Sequence, residues 1–355
     1  MMSRTYDEDL PASIAAGARV EKIDGLNVEL RPVPDDSRAH ALDPRVAALF
    51  ELRKSGKFPT PKGSDLISMR TRPNKESHQI DSGAVSEKVL LMDLGDRKIH
   101  LFVFEPKDHE GALPVLAYFH GGGFTVGNIG QFRNALRYLA ERAHCVVVYP
   151  EYRLAPESLF PAQQLDCNDA VNWVCEHADE LGVDPGRVAV AGDSAGGSLC
   201  NAVTILQGGR VRLVVEMYPL VDGGPVPKEW SLDLYPHLAE QEEAAVSRTL
   251  RIRNASDGLA ATIVPTGQEN LVYDPLISAK YYGNLASFPR TLVVCSEFDY
   301  LRYQNERFAK QLQDAGVSVR AIRYLGCDHG FFETCGVMPQ VEDLCNVMAG
   351  EIAAL

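Results

Sequence analysis

The 355-residue chain lacks any pair of cysteines at the two-residue spacing of a zinc or redox motif; its eight cysteines are scattered. No metal site and no disulfide framework are therefore expected, and reduced thiols filling core positions are the simple account. Positive charge is also short. Asp and Glu number 48 against 35 Lys and Arg, a formal net charge of −13 that opposes nucleic-acid binding and favours solubility. No run approaches the roughly 20 apolar residues of a membrane span, and residues 1–9 have no apolar signal core, so a cytoplasmic location is expected. Internal repeats and low-complexity tracts are missing as well.

What is present is a serine in a telling setting. Gly192-Asp193-Ser194-Ala195-Gly196 follows the apolar run Val188-Ala189-Val190-Ala191 and opens a segment of small residues. A glycine-flanked serine between strand and helix predicts a tight turn that presents the Ser194 hydroxyl. Glycine permits the turn and lets the helix pack close under the strand. Alone the pattern is weak, arising by chance in roughly one chain in ten of this length. A second element strengthens it: His120-Gly121-Gly122-Gly123-Phe124 follows the strand-like Val115-Leu116-Ala117-Tyr118-Phe119. Acyl transfer needs amide hydrogens aimed at the oxygen that becomes negative, and a glycine run lets several converge without side chains in the way. The oxyanion hole is assigned to the amides of Gly122, Gly123 and Ala195.

Together with Tyr152-Arg153-Leu154-Ala155-Pro156-Glu157, Phe160-Pro161-Ala162 and Tyr218-Pro219-Leu220, these motifs resemble the hormone-sensitive-lipase family of α/β-hydrolase esterases from about residue 85 onward. The resemblance implies a carboxylesterase with a serine, aspartate and histidine triad, acting on a small-molecule ester without a cofactor. It also implies an N-terminal helical cap over the pocket.

In this fold the acid and then the histidine follow the nucleophile, each after a late strand. Thr291-Leu292-Val293-Val294-Cys295 reads as such a strand, which makes Asp299 the acid. Val317 to Ile322 alternates like the next, and His329 leaves it flanked by glycine, which makes His329 the base. Glu297 and Asp328 are rival acids, the first two residues before Asp299 and the second directly before His329. The family commonly continues its acid with Pro-Leu-Arg-Asp-Glu; here Asp299 is followed by Tyr300-Leu301-Arg302-Tyr303-Gln304, so the neighbouring loop has another shape. His120 reads as a shaper of the hole, Asp193 as a local group favoured by the helix dipole, and Arg153 and Glu157 as scaffold.

The element order predicts an α/β class, a mostly parallel sheet flanked by helices: two edge-like strands (88–94, 98–105), then strand and helix in alternation, and a final helix over about 340–354. Two regions are expected outside the sheet, an N-terminal cap region over 1–60 and a cap insertion at about 223–273 within a catalytic domain of 85–355. The first holds a helix capped by Asp43 with Pro44 at its first position. Residues 70–83 read as a polar linker. A homodimer through a sheet edge is compatible with such a fold, with no residue pattern to establish it. Three functions remain in view: hydrolysis of short- to medium-chain acyl esters; a lactonase, amidase or dehydratase on the same scaffold; and a non-catalytic small-molecule binding protein.

Overall fold

The computed structural model describes residues 4–57 and 65–355. Among these residues ten strands make one sheet: β1 (Arg19–Ile23), β2 (Leu26–Arg31), β3 (Val85–Asp93), β4 (Lys98–Pro106), β5 (Leu113–Phe119), β6 (Val146–Pro150), β7 (Val183–Asp193), β8 (Val211–Met217), β9 (Arg290–Phe298) and β10 (Val319–Asp328). Their spatial order is β1-β2-β10-β9-β8-β7-β5-β6-β4-β3. The contiguous run from β2 to β6 is parallel, and only the pairs β1/β2, β4/β6 and β3/β4 are antiparallel. The central parallel strands β5, β6, β8 and β9 are almost wholly buried on both faces, which is why they carry near-continuous apolar runs, whereas β2 and β10 toward the edge alternate. On β5, Leu116 and Tyr118 enter the core that contains residues of the helices Ile129–Ala143 and Pro339–Ala353. Val115, Ala117 and Phe119 enter the opposite one, with residues of the helices Ala162–Glu176 and Ala195–Gln207.

One expectation needs correction. Residues 19–31 do not lie outside the sheet but form its β1–β2 edge, pairing in parallel with β10 through Val28 to Arg31. The signal is local. Leu26-Asn27-Val28-Glu29-Leu30-Arg31 alternates, and Asp24-Gly25, both at positive φ (48° and 84°), supplies the two-residue turn that matches strand twist. The helix Pro44–Lys54 begins as expected, with the Asp43 side chain accepting the Arg45 N–H at 2.8 Å. The 223–273 segment contains a largely polar helix, Glu242–Ser256. This segment meets the N-terminal one around the start of that helix: Leu42 N–H donates to Gln241 Oε1 at 2.8 Å, Arg38 pairs with Glu240 at 3.0 Å, and Lys54 pairs with Glu243.

Candidate active site

Ser194 stands between β7 and the helix Ala195–Gln207 with φ 55° and ψ −118°, a conformation that costs an L residue about 1–3 kcal/mol. The surrounding backbone imposes it. Ser194 N–H donates to Met217 O at 2.9 Å, and its own carbonyl accepts from Gly197 at 3.0 Å and Leu220 at 3.1 Å. Glycine at 196 is obligatory, since a Cβ there would stand 1.9 Å from the Phe119 carbonyl oxygen. The turn thus forces the hydroxyl outward, and Ser194 is half-buried among otherwise buried neighbours.

The glycine loop is fastened to this turn by Asp193. Its Oδ1 accepts the Gly121 N–H at 2.8 Å and the Tyr118 hydroxyl at 2.9 Å. This carboxyl is a long-range clamp between the two motifs, more than the local helix-start group that its position suggested. Burial, reinforced by the charge of Glu333, pushes it up to about 7. At Gly122, φ is 114° and a Cβ would fall 2.1 Å from Val126 O, so the tight bend excludes any side chain. Thr125 and Val126 N–H both bond to Gly122 O. The amides of Gly122, Gly123 and Ala195 have no protein acceptor among the described residues. His120 is buried, stacked on Tyr152 with centroids 4.2 Å apart, and its Nδ1 donates to Gly121 O at 2.7 Å. Burial holds its pKa down at about 4, so it is neutral and serves the loop as a spacer.

Asp299 and His329 converge on Ser194. His329 Nδ1 lies 2.6 Å from Asp299 Oδ2, and Nε2 lies 2.9 Å from Ser194 Oγ. With Nδ1–H donating to the carboxylate, Nε2 is left to accept the serine proton. Asp299 is fully buried, and its other oxygen accepts the Leu301 N–H at 2.9 Å, which locks the carboxylate plane. Both rival acids are engaged elsewhere. Strand β9 ends at Phe298, so Glu297 diverges from Asp299 and binds His40 Nδ1 (2.9 Å) and the Gly326 N–H (2.8 Å). Asp328 accepts from Arg248 Nε at 2.7 Å. Arg153 and Glu157 are scaffold, paired with Asp166 and Arg70.

Several roles at the site were not legible from the sequence. Tyr218 places its ring 4.8 Å from that of His329. Three cations from outside the sheet grip three successive residues of the histidine loop: Arg248 on Asp328, Arg251 on the carbonyl of His329 at 3.0 Å, and Lys75 on the carbonyl of Gly330 at 2.6 Å. The two arginines lie on the helix Glu242–Ser256, and Lys75 is in the polar linker. Charged residues 78 to 255 positions from their partners leave no local pattern to find.

A serine at a strained strand-to-helix turn, bonded to a histidine after the last strand of a largely parallel sheet, defines an α/β hydrolase. Comparison with known proteins agrees and is narrower. A family model described as alpha/beta hydrolase fold matches residues 116–333. The esterase LipI of Mycobacterium tuberculosis is 34% identical over 247 residues, spanning 67% of this chain and 71% of that protein. An arylesterase of Saccharolobus solfataricus is 30% identical over 266 residues, spanning 74% and 81%. Among solved structures, an esterase of Pyrobaculum calidifontis superposes with a TM-score of 0.65 at 29% identity, covering 87% of this chain and 92% of the other. The chain belongs to the hormone-sensitive-lipase-like family of α/β-hydrolase esterases and is a carboxylic ester hydrolase. No described helix is long and apolar enough to cross a membrane.

Proposed function

We propose that Ser194, His329 and Asp299 carry out ester hydrolysis through an acyl-enzyme. His329 Nε2 removes the hydroxyl proton as Ser194 Oγ attacks the carbonyl carbon, and Asp299 holds the imidazole in the required tautomer and stabilises the imidazolium. The amides of Gly122, Gly123 and Ala195 receive the oxygen as it becomes negative. The imidazolium returns its proton to the departing alcohol. Water, deprotonated in turn by His329, then releases the acid. The observation that carries this reading is the unbroken chain of contacts from Asp299 to Ser194, at 2.6 and 2.9 Å.

The natural substrates in this reading are short- to medium-chain acyl esters, and the helix Pro44–Lys54 and the 223–273 segment form a common cap that bounds the acyl pocket. The reading includes a cytoplasmic location, supported by eight unpaired cysteines, and a homodimer through a sheet edge, testable by light scattering. The central test is a burst of p-nitrophenol from p-nitrophenyl acyl esters of graded length, with peptide mapping of the acyl group. One acyl group per chain on Ser194, with turnover falling beyond medium chains, is expected. A label on any other residue overturns the nucleophile assignment.

A further inference from the structure

Among the described residues, hydrogen bonds and ring contacts join three groups to the imidazole of His329. Asp299 takes Nδ1 and Ser194 takes Nε2; the third is the ring of Tyr218, 4.8 Å away between centroids and inclined by 58°. Tyr218 is held there under strain. It is fully buried just after β8 with φ 37°, left-handed backbone that a bulky side chain seldom adopts. Such strain persists only where the neighbours over-determine it, and it clusters at functional sites. The Tyr218 N–H donates to Val294 O of β9 at 2.6 Å, and the adjacent Met217 carbonyl accepts the Ser194 N–H at 2.9 Å. The Tyr218 hydroxyl accepts the Phe332 N–H at 3.2 Å, and its ring also meets that of Phe331 at 5.6 Å. Two adjacent residues, Met217 and Tyr218, thus touch the backbone of the serine, the ring of the histidine and the chain that follows it.

What the third contact adds depends on the stage of the reaction. In the free enzyme the imidazole is anchored at both nitrogens. Once Ser194 Oγ is bonded to the acyl carbon and the alcohol has left with the proton, Oγ has no hydrogen to donate and the anchor at Nε2 is gone. Asp299 still holds Nδ1, but one hydrogen bond leaves the ring free to swing about that point. Deacylation then requires Nε2 to stay aimed at a water: the water oxygen bonds to the acyl carbon, its proton passes to Nε2, and that proton returns to Oγ as the acyl–Oγ bond breaks. A small misplacement of the base is expensive in rate. The Tyr218 ring, already packed beside the imidazole, opposes the swing, whereas Arg251 and Lys75 bond only to carbonyls of the loop and Arg248 to Asp328.

We propose that Tyr218 is a positioning residue for His329, acting through its ring and chiefly in the acyl-enzyme, so that it speeds deacylation more than acylation. The proposal rests on the triad reading above. Acylation is measured as p-nitrophenol release with enzyme in excess over p-nitrophenyl acetate, and deacylation as the decay of the acetylated intact mass once that ester is exhausted. Tyr218→Leu should slow deacylation about tenfold or more and acylation less than about threefold, so that kcat and KM fall together. Tyr218→Phe keeps the ring and should bring deacylation back to within about threefold of wild type. Its missing hydroxyl strands the Phe332 N–H, which lowers the urea midpoint and leaves the split between the two steps alone. Where Tyr218→Leu folds poorly, Tyr218→Met, whose flexible chain fills the space without a ring, carries the same expectation. Losses equal in both steps or larger in acylation, no loss in deacylation, or a Tyr218→Phe enzyme as slow as the ring-less variants overturns the assignment. The acetyl group found on Ser194 of the wild-type enzyme, or its absence, decides the triad reading separately, so failure of one is distinguishable from failure of the other.

Discussion

The two halves of this site are held by different forces. On the sheet side, Ser194 is fixed by main-chain geometry: a strained turn, backbone hydrogen bonds to Met217 and Leu220, and glycines where a single added carbon would collide with a carbonyl. On the opposite side, residues 328–330 are held by side chains, the cations Arg248, Arg251 and Lys75 arriving from segments outside the sheet. Main-chain devices restrict residue type position by position, whereas an ion pair asks only for opposite charges somewhere along the chain. The first kind of constraint writes itself into a short motif. The second does not.

The largest effect separating these halves is expected at the proposed nucleophile. Ser194→Ala should lower kcat by about three decades or more, on the order of 4 kcal/mol of barrier, while thermal stability changes little. The hydroxyl does not build the turn; the backbone does. Retention of full turnover in that variant would remove Ser194 from the chemistry.

Arg248→Met should behave in the opposite manner. It strands the buried Asp328 carboxylate, and breaking a buried pair from one side costs about 3 kcal/mol or more. The loss should appear as a lower urea midpoint, with activity declining because the histidine loop loosens. Pairing the change with Asp328→Asn removes the orphaned charge and should restore much of the midpoint. If the double variant is no more stable than Arg248→Met alone, the loop is not held by this pair.

That contrast also explains what could be read in advance. Apart from Gly123, the glycines of 121–123 and 192–197 stand where a Cβ would collide with a neighbour, so the Ser194 turn and the glycine loop beside it were legible. The positions of Asp299 and His329 were legible because β9 holds the apolar run Leu292-Val293-Val294-Cys295 and β10 opens with alternation, each leading into a polar segment. The choice between Asp299 and Glu297 was harder. It is decided by where β9 stops and by the distant partners His40 and Gly326, neither of which is a local property. The β1–β2 hairpin had a readable Asp-Gly turn, but resemblance to a family with an N-terminal cap drew those residues away from the sheet. The roles of Arg248, Arg251 and Lys75 depend wholly on tertiary contacts, and the shape of the 223–273 segment was likewise beyond residue patterns.

The smallest expected effects concern pH, and they have opposite signs in the two halves. Glu216, on β8, is buried with Asn201 donating to it at 2.7 Å, and burial pushes its carboxyl up to about 8. A carboxyl raised on folding binds its proton more tightly in the native state. Its contribution to stability is complete below the ordinary carboxyl range and is lost as pH rises toward 8. Asp193, raised to about 7, acts in the same direction. Asp328 is the reverse: burial works to raise it, but Arg248, Lys75 and Arg251 together outweigh burial and hold it at about 2. Its contribution is present above the ordinary carboxyl range and is lost as pH falls toward 2. Urea midpoints measured across pH should therefore decline on the alkaline side because of the sheet and on the acid side partly because of the histidine loop. Glu216→Gln should remove about 3 kcal/mol of the decline between pH 5 and 8 and leave the acid limb alone, and Asp328→Asn should flatten only the acid limb. Parallel curves for wild type and Glu216→Gln over pH 5 to 8 would show that the sheet carries no such titrating strain, and the division between a backbone-held and a charge-held half would lose its thermodynamic signature.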